Sequence, residues 1–180
     1  MSEKVKRAIE GLAAGILLRP ERAAASFRAT TVSESDGFST RSRVRGFTVP
    51  LDEPPELAGE DTGPNPVEAV LAALGSCQAI VYRAYASSLG LRLDRVEVEA
   101  VGELDLRGLL GLARVPAGFQ RVTFRTRIVS PEPPERIREL AGLVEAHCPV
   151  LDTLRLPVEV TGELAHVAPP GDEGALRRTA

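Results

Sequence analysis

The stretch from Asn65 to Gly90 constrains the fold more than any other part of this chain. Asn65 is a good helix N-cap, and Pro66 suits the first helical position, where no backbone N–H is needed. Gly90 suits the exit, where a left-handed residue ends a helix without strain. Between them Val67, Val70, Leu71, Leu74, Cys77, Val81, Ala84 and Ser88 recur at helical spacing. The spacing predicts one long helix over Pro66–Leu89, with that stripe and Cys77 on it turned to the core. Glu68, three residues after Asn65, completes the sequence pattern of a capping box.

The flanking segments give this helix something to pack on. Glu3–Leu17 reads as an earlier helix, with Val5, Ile9, Leu12 and Ile16 at helical spacing, Ser2 as cap and Pro20 beyond its end. Ala24–Ser33 and Phe38–Leu51 read as strands joined by a turn at Ser35-Asp36-Gly37. Arg41, Arg43 and Arg45 would share one face of the second strand, with Val44 on the other. Asp52–Gly63, rich in Pro, Gly and acids, reads as a loop.

After the long helix come strands at Arg92–Leu106 and Gly118–Val129, joined by an apolar, glycine-containing loop. Val96, Val98 and Ala100 alternate with Glu97, Glu99 and Val101, and Val122, Phe124, Thr126 and Ile128 alternate with Thr123, Arg125, Arg127 and Val129. Such alternation means a sheet covered mainly on one side. Pro134–His147 reads as a second helix, Cys148-Pro149 opens a short helical turn to Leu154, and Leu156–His166 reads as a last strand. Segregated hairpins and helices make the expected class α+β, an antiparallel sheet packed on two long helices. The expected organisation is an N-terminal helix over residues 1–20, one domain over 21–167, and a disordered tail over 168–180.

Composition removes several function classes. At 180 residues the chain is long enough for one domain with a real core. A net charge of −3 argues against a nucleic-acid partner, and the absence of tryptophan removes the best base-stacking residue. No apolar run reads as long enough for a bilayer span, and the amino terminus does not read as a secretory signal, so the expected location is cytoplasmic, with no membrane partner. In a reducing compartment two cysteines are catalytic, redox-sensing or simply buried, rather than a standing bridge.

Those two cysteines, Cys77 and Cys148, are the chain's only thiols. Cysteine on an apolar helical stripe behaves as a small hydrophobe, so Cys77 has a purely structural reading. Cys148 precedes Pro149 and so can stand at a helix N-terminus, where the dipole favours a thiolate. A pair with no competing cysteine also suits a redox couple, in which one thiol attacks an oxidant and the other resolves it. Cys77, Cys148, His147 and His166 have the atom types of a zinc site, but their spacing matches no compact motif. No nucleophile elbow surrounds Cys77 and no glycine-rich nucleotide loop is present.

The run Leu51–Glu68, then Ala72-Ala73-Leu74-Gly75-Ser76-Cys77, and later His147-Cys148-Pro149-Val150, resembles the OsmC/Ohr family, the osmotically inducible and organic hydroperoxide resistance proteins. The resemblance extends from about Phe27 to Leu164. It implies an intertwined homodimer, with central helices packed between sheets and each active site formed by both subunits. It implies that Cys77 is the thiol attacking a hydroperoxide and Cys148 the resolving thiol, with an external dithiol as reductant and no metal or organic cofactor. It implies an assisting arginine from the early hairpin region, for which Arg43 is the candidate among Arg41, Arg43 and Arg45. In the family's hydroperoxide-reducing branch the catalytic glutamate directly follows Asn-Pro; here Val67 stands there and Glu68 comes one later. One residue rotates a helical side chain by about 100°, so Glu68 is a candidate both as catalytic carboxylate and as helix cap. Two other readings stay open: a binding or stress protein of this fold with little peroxidase turnover, and a structural homodimer with inert thiols.

Overall fold

A computed structural model describes residues 3–33 and 36–167. Its elements run α1 (Glu3–Leu18), β1 (Thr30–Val32), β2 (Thr40–Val44), β3 (Phe47–Leu51), α2 (Pro66–Leu89), β4 (Arg95–Glu103), α3 (Leu106–Leu109), β5 (Arg121–Val129), α4 (Pro134–His147) and α5 (Pro149–Arg155). Two antiparallel sheets form, β1-β2-β3 and β4-β5. This is the mixed helix-and-antiparallel-sheet class expected, with the strands divided between two sheets. Ser2, Ser35 and the tail 168–180 lie outside the described residues.

The segment read as one strand, Phe38–Leu51, folds back on itself. Val44 pairs with Phe47, and Arg45 and Gly46 make the turn between β2 and β3, with Arg45 at φ 56. The expected face of three arginines is therefore wrong in one member. Arg41 and Arg43 share the exposed side of β2, while Arg45 leaves the strand and lays its guanidinium over the Phe47 ring, 5.2 Å from the centroid. Of Ala24–Ser33 only Thr30–Val32 finds a partner, in register Thr30↔Arg43.

β4 and β5 pair along their whole lengths, from Arg95↔Val129 to Glu103↔Arg121. Their burial alternates residue by residue as the sequence alternates. Val96, Val98, Ala100, Val122, Phe124, Thr126 and Ile128 face the helices. On the outer face Glu97, Glu99 and Glu103 stand opposite Arg127, Arg125 and Arg121, a cross-strand arrangement of opposite charges. The connection between the strands holds a short helix not expected from sequence, α3, capped by Asp105, whose side chain accepts from the Arg107 N–H.

α2 forms over the residues expected, capped by Asn65 and closed by Gly90 at φ 72. Its buried side is Leu74, Gln78, Tyr82, Ala86 and Ser87, roughly one residue rotated from the stripe the spacing picked out. Apolar residues run nearly all round this helix, so their period did not fix the face. Gln78 lies on the buried side, its Oε1 3.5 Å from the Thr126 hydroxyl and its amide nitrogen without a hydrogen-bond partner among the described residues. The same all-round apolarity makes α2 long and apolar enough to cross a membrane by length and composition, contrary to the sequence reading. In the fold it packs on β4, α4, α5 and α1. Its outer side leaves Val70, Ala72, Ala73, Ser76 and Ile80 exposed.

The main core joins Tyr82 and Ala86 of α2, Leu91 and Leu93 of the following turn, and Leu140 and Val144 of α4, against Val96, Ile128 and Ile137. The Arg83 guanidinium, donating to the Leu93 and Asp94 carbonyls, ties the end of α2 to the start of β4.

The loop before α2 is organised by one carboxylate. Asp52 is buried and accepts from the N–H groups of Glu53, Glu60 and Thr62 and from the Thr62 hydroxyl at 2.7 Å. The loop crosses itself so closely at Gly59 that a Cβ there would overlap the Glu53 carbonyl.

The expected strand Leu156–His166 does not form. The chain leaves α5 at Arg155 and continues without regular structure to Val167. A strand exists only through its ladder, and no described strand pairs with this segment. Its alternating apolar side chains stay in solvent, with Val160 87% and Leu164 96% exposed.

Candidate active site

Cys148 lies in the joint between two helices. Pro149 disfavours the helical conformation in the residue before it, so α4 stops at His147 and Cys148 is extended, at φ −81 and ψ 111. Pro149 then serves as the first residue of α5, and the Cys148 carbonyl accepts from the Asp152 N–H at 2.9 Å. Because α2 packs on both α4 and α5, this joint is pressed against the middle of α2, where Cys77 sits.

The two thiols are neighbours. The Cys77 thiol is within hydrogen-bonding reach of the Cys148 thiol, and both cysteines are free. Leu74, Cys148 and Leu151 form a buried cluster against which Cys77, Ala100, Val122, Phe124 and Val150 pack. The two thiols are not equivalent. Cys148 is 1% exposed, whereas Cys77, on the shoulder of α2, is half-buried. Burial pushes the Cys148 thiol above its ordinary range, the neighbouring Cys77 adds to that, and the N–H groups of Leu151 and Val150 oppose it. The helix-end position expected to favour a Cys148 thiolate is present, but desolvation outweighs it.

A cavity of about 350 Å³ shares Leu74, Val122, Phe124 and Leu151 with this cluster, although neither cysteine lines it. Leu74, Val122, Phe124, Leu151 and Leu154 supply apolar walls, with Arg121 and Arg155 also lining it. Each arginine reaches a carboxylate: Arg155 to Glu145 at 3.1 Å and Arg121 to Glu103 at 3.8 Å. Sequence reading missed this cavity, since its walls come from α2, β5 and α5 and share no local pattern.

The other candidates stand apart from the thiols. Arg41 and Arg43 line a different cavity of about 760 Å³ with Val32, Phe38, Thr48 and Glu60, and neither cysteine lines it. Glu68 is exposed and closes the capping box with Asn65. His147 turns its ring to Tyr85, centroids 5.4 Å apart, and its Nδ1 lies 2.8 Å from the Leu143 carbonyl. Among the described residues no cluster of three or more His, Cys, Asp or Glu could hold a metal ion, so the zinc quartet is not assembled.

Gln78 and Tyr82 are the buried polar residues that sequence reading passed over. Gln78 is fully buried, its amide oxygen accepting from the Thr126 hydroxyl at 3.5 Å. Tyr82 also hydrogen-bonds to Thr126, and burial raises its phenol above the usual range, against the Thr126 bond and with help from Glu145. A glutamine four residues from both Leu74 and Tyr82 was the available signal, because i and i+4 share a helix face.

Residues 59–163 match the model of the OsmC-like protein family, and the match covers both cysteine segments. A protein of Haloferax volcanii, itself uncharacterized, is 32% identical over 135 residues, covering 73% of this chain and 91% of its own length. Among solved structures, an OsmC-like protein of Mycoplasma pneumoniae has a TM-score of 0.63 at 22% identity, covering 73% of this chain and 88% of that one. An organic hydroperoxide resistance protein of Legionella pneumophila has 0.56 at 19% identity, covering 73% and 92%. One from Elizabethkingia anophelis has 0.57 at 17%, covering 73% and 89%. With the family match spanning both cysteines and the fold shared, this chain belongs to the OsmC-like protein family.

Proposed function

We propose that the protein is a thiol-dependent peroxidase that reduces organic hydroperoxides through Cys77 and Cys148. The observation that carries this reading is the contact between two free thiols of unequal exposure in a largely apolar cluster. The half-buried Cys77 is the one a peroxide meets. Its thiolate attacks the terminal peroxide oxygen; the O–O bond breaks, an alcohol leaves after taking up a proton, and Cys77 becomes a sulfenic acid. The Cys148 sulfur then attacks the Cys77 sulfur, expelling water and closing a disulfide. An external dithiol reduces that bond by exchange. Burial keeps the Cys148 thiol out of the first step, and in the second it gives up its proton, which leaves with the sulfenic oxygen as water.

The likeness to organic hydroperoxide resistance proteins of Legionella pneumophila and Elizabethkingia anophelis supports the choice of substrate class. The working unit is a cytoplasmic homodimer. Its support is the exposed apolar side of α2 and the unpaired segment after Arg155. In it the arginine of β2, Arg43, assists the attacking thiol only if a second copy brings it there. The experiment is peroxide consumption with cumene hydroperoxide and a dithiol, which should continue catalytically past one equivalent of enzyme.

A second reading is a binding or stress protein of this fold with little turnover. It is favoured by Glu68, committed to capping α2, and by Arg41 and Arg43, which line a cavity without the thiols. Consumption that halts after one equivalent would select it.

A further inference from the structure

We propose that the Cys77–Cys148 pair and the adjoining cavity form a site for monosubstituted trivalent arsenicals, R–As(OH)2, with the thiols holding arsenic and the apolar walls of the cavity holding R. This inference does not depend on peroxidase turnover. It needs only two reduced neighbouring thiols and a partly apolar space next to them, and both are in place.

Charge selects the ligand class. The apolar side chains packed around the sulfurs are Leu74, Leu151, Phe124, Val122, Ala100 and Val150, and the two cations of the cavity wall, Arg121 and Arg155, are each paired with a carboxylate, Glu103 and Glu145. A monovalent soft ion held by two thiolates would leave a net negative charge in these surroundings, at a large desolvation cost. Zinc would ask for further ligands, and none converge here among the described residues. A trivalent organoarsenical has neither difficulty. Two S–As bonds form, two As–O bonds break, and the two thiol protons leave with the oxygens as two molecules of water. Arsenic keeps its oxidation state, so no oxidant or reductant enters, and the product is neutral. A pyramidal arsenic bridges neighbouring sulfurs, whereas a linear ion holds its two sulfurs on opposite sides.

The third substituent distinguishes this site from an exposed dithiol. Inorganic arsenite keeps a hydroxyl after binding two thiols, and that hydroxyl gains nothing from the apolar walls Leu74, Val122, Phe124 and Leu151. An aryl group in its place fills the cavity of about 350 Å³ that shares Leu74, Val122, Phe124 and Leu151 with the cluster. Cys77, the more exposed thiol, makes the first bond; Cys148 closes the chelate.

The test uses the full-length reduced protein with phenylarsine oxide, which hydrates to the required form. Intact-mass analysis should show a single adduct that resists a monothiol and is removed by a small dithiol. In that adduct both cysteines should be protected from maleimide. Cys77→Ser and Cys148→Ser should each lose the monothiol-resistant adduct. Phenylarsine oxide should bind at least about tenfold tighter than arsenite, with the preference measured relative to a free small dithiol. Absence of the wild-type adduct, maleimide labelling of either cysteine within it, or equal preference for the two arsenicals would overturn the proposal. The wild-type protection result keeps it testable if a serine variant fails to fold. Failure of the peroxidase assay with success here would discard the enzymatic reading alone.

Discussion

Asn65 and Glu68 hold each other across the first turn of α2: the Glu68 N–H donates to Asn65 Oδ1 at 2.8 Å, and the Asn65 N–H donates to Glu68 Oε2 at 2.9 Å. The carboxylate that could have served the thiols is thus occupied at the helix end, nine residues before Cys77. Glu68→Ala should lower stability by about 0.5–2 kcal/mol, the range for losing an N-terminal cap. Peroxide reduction should stay within about threefold of wild type. Denaturant titration and steady-state rates check the two halves; a tenfold rate loss with unchanged melting would assign Glu68 to the chemistry.

Cys77→Ser should abolish peroxide reduction, while Cys148→Ser should still consume about one equivalent and then stop, with a sulfenic acid trapped at Cys77. In wild type, one equivalent of organic peroxide should give a mass loss of two hydrogens and a peptide linking the two segments. Persistent single-cysteine oxidation in wild type would remove Cys148 from the resolving role.

Alkylation of the native protein near pH 7 should label Cys77 first, because Cys148 is buried and its thiol is held protonated. The same raised Cys148 value has a consequence for folding. Its contribution is full below the ordinary thiol range and declines as pH rises from there through the folded value. Thermal melts of wild type and Cys148→Ala between pH 7 and pH 10 should converge toward the alkaline end.

Asp52 is held below the usual carboxylate range chiefly by the Thr62 hydroxyl, with the N–H groups of Glu53, Thr62 and Glu60 adding to it and burial opposing. A depressed value stabilises the fold above the unfolded pKa, and the benefit disappears as pH falls through the folded one. Asp52→Asn should therefore be less stable than wild type at pH 7, and the gap should narrow below about pH 4. Hydrogen exchange over residues 53–62 measures it locally; a gap that stays constant with pH would mean the loop does not depend on the charge.

The protein should be a homodimer in solution, since the exposed Val70, Ala73 and Ile80 side of α2 is an apolar patch on the longest helix. Stable interfaces of this kind typically bury more than about 2,000 Å². Light scattering at micromolar concentration should give twice the chain mass of 19.2 kDa.

What could be read in advance follows from how local each signal is. Asn65, Pro66 and Gly90 mark α2 because a cap is decided within four residues. Pro149 marks the α4–α5 joint for the same reason. The inward faces of β4 and β5 were legible because strict alternation leaves one answer. The rotation of α2 was not legible: apolar residues run nearly all round it, and the buried side carries Gln78, whose Oε1 faces the Thr126 hydroxyl from far along the chain. Nor was the Arg45 turn, where a non-glycine residue adopts positive φ. The apparent strand after Leu156 had the pattern of a strand but lacked a neighbour to pair with. For the site, the motif identified the two cysteines, and the tertiary packing of α2 against the α4–α5 joint brought their sulfurs together.

The free segment beyond Arg155 makes assembly readable by a protease. Its backbone is without a ladder, and Val160 and Leu164 stand almost wholly in solvent. A single chain should therefore be clipped there quickly, and the cut would leave Cys77, Cys148 and their cluster on the larger fragment. A second copy covering the segment would slow the same cut. The rate of nicking against protein concentration then reports how tightly two copies hold, with no label and no substrate.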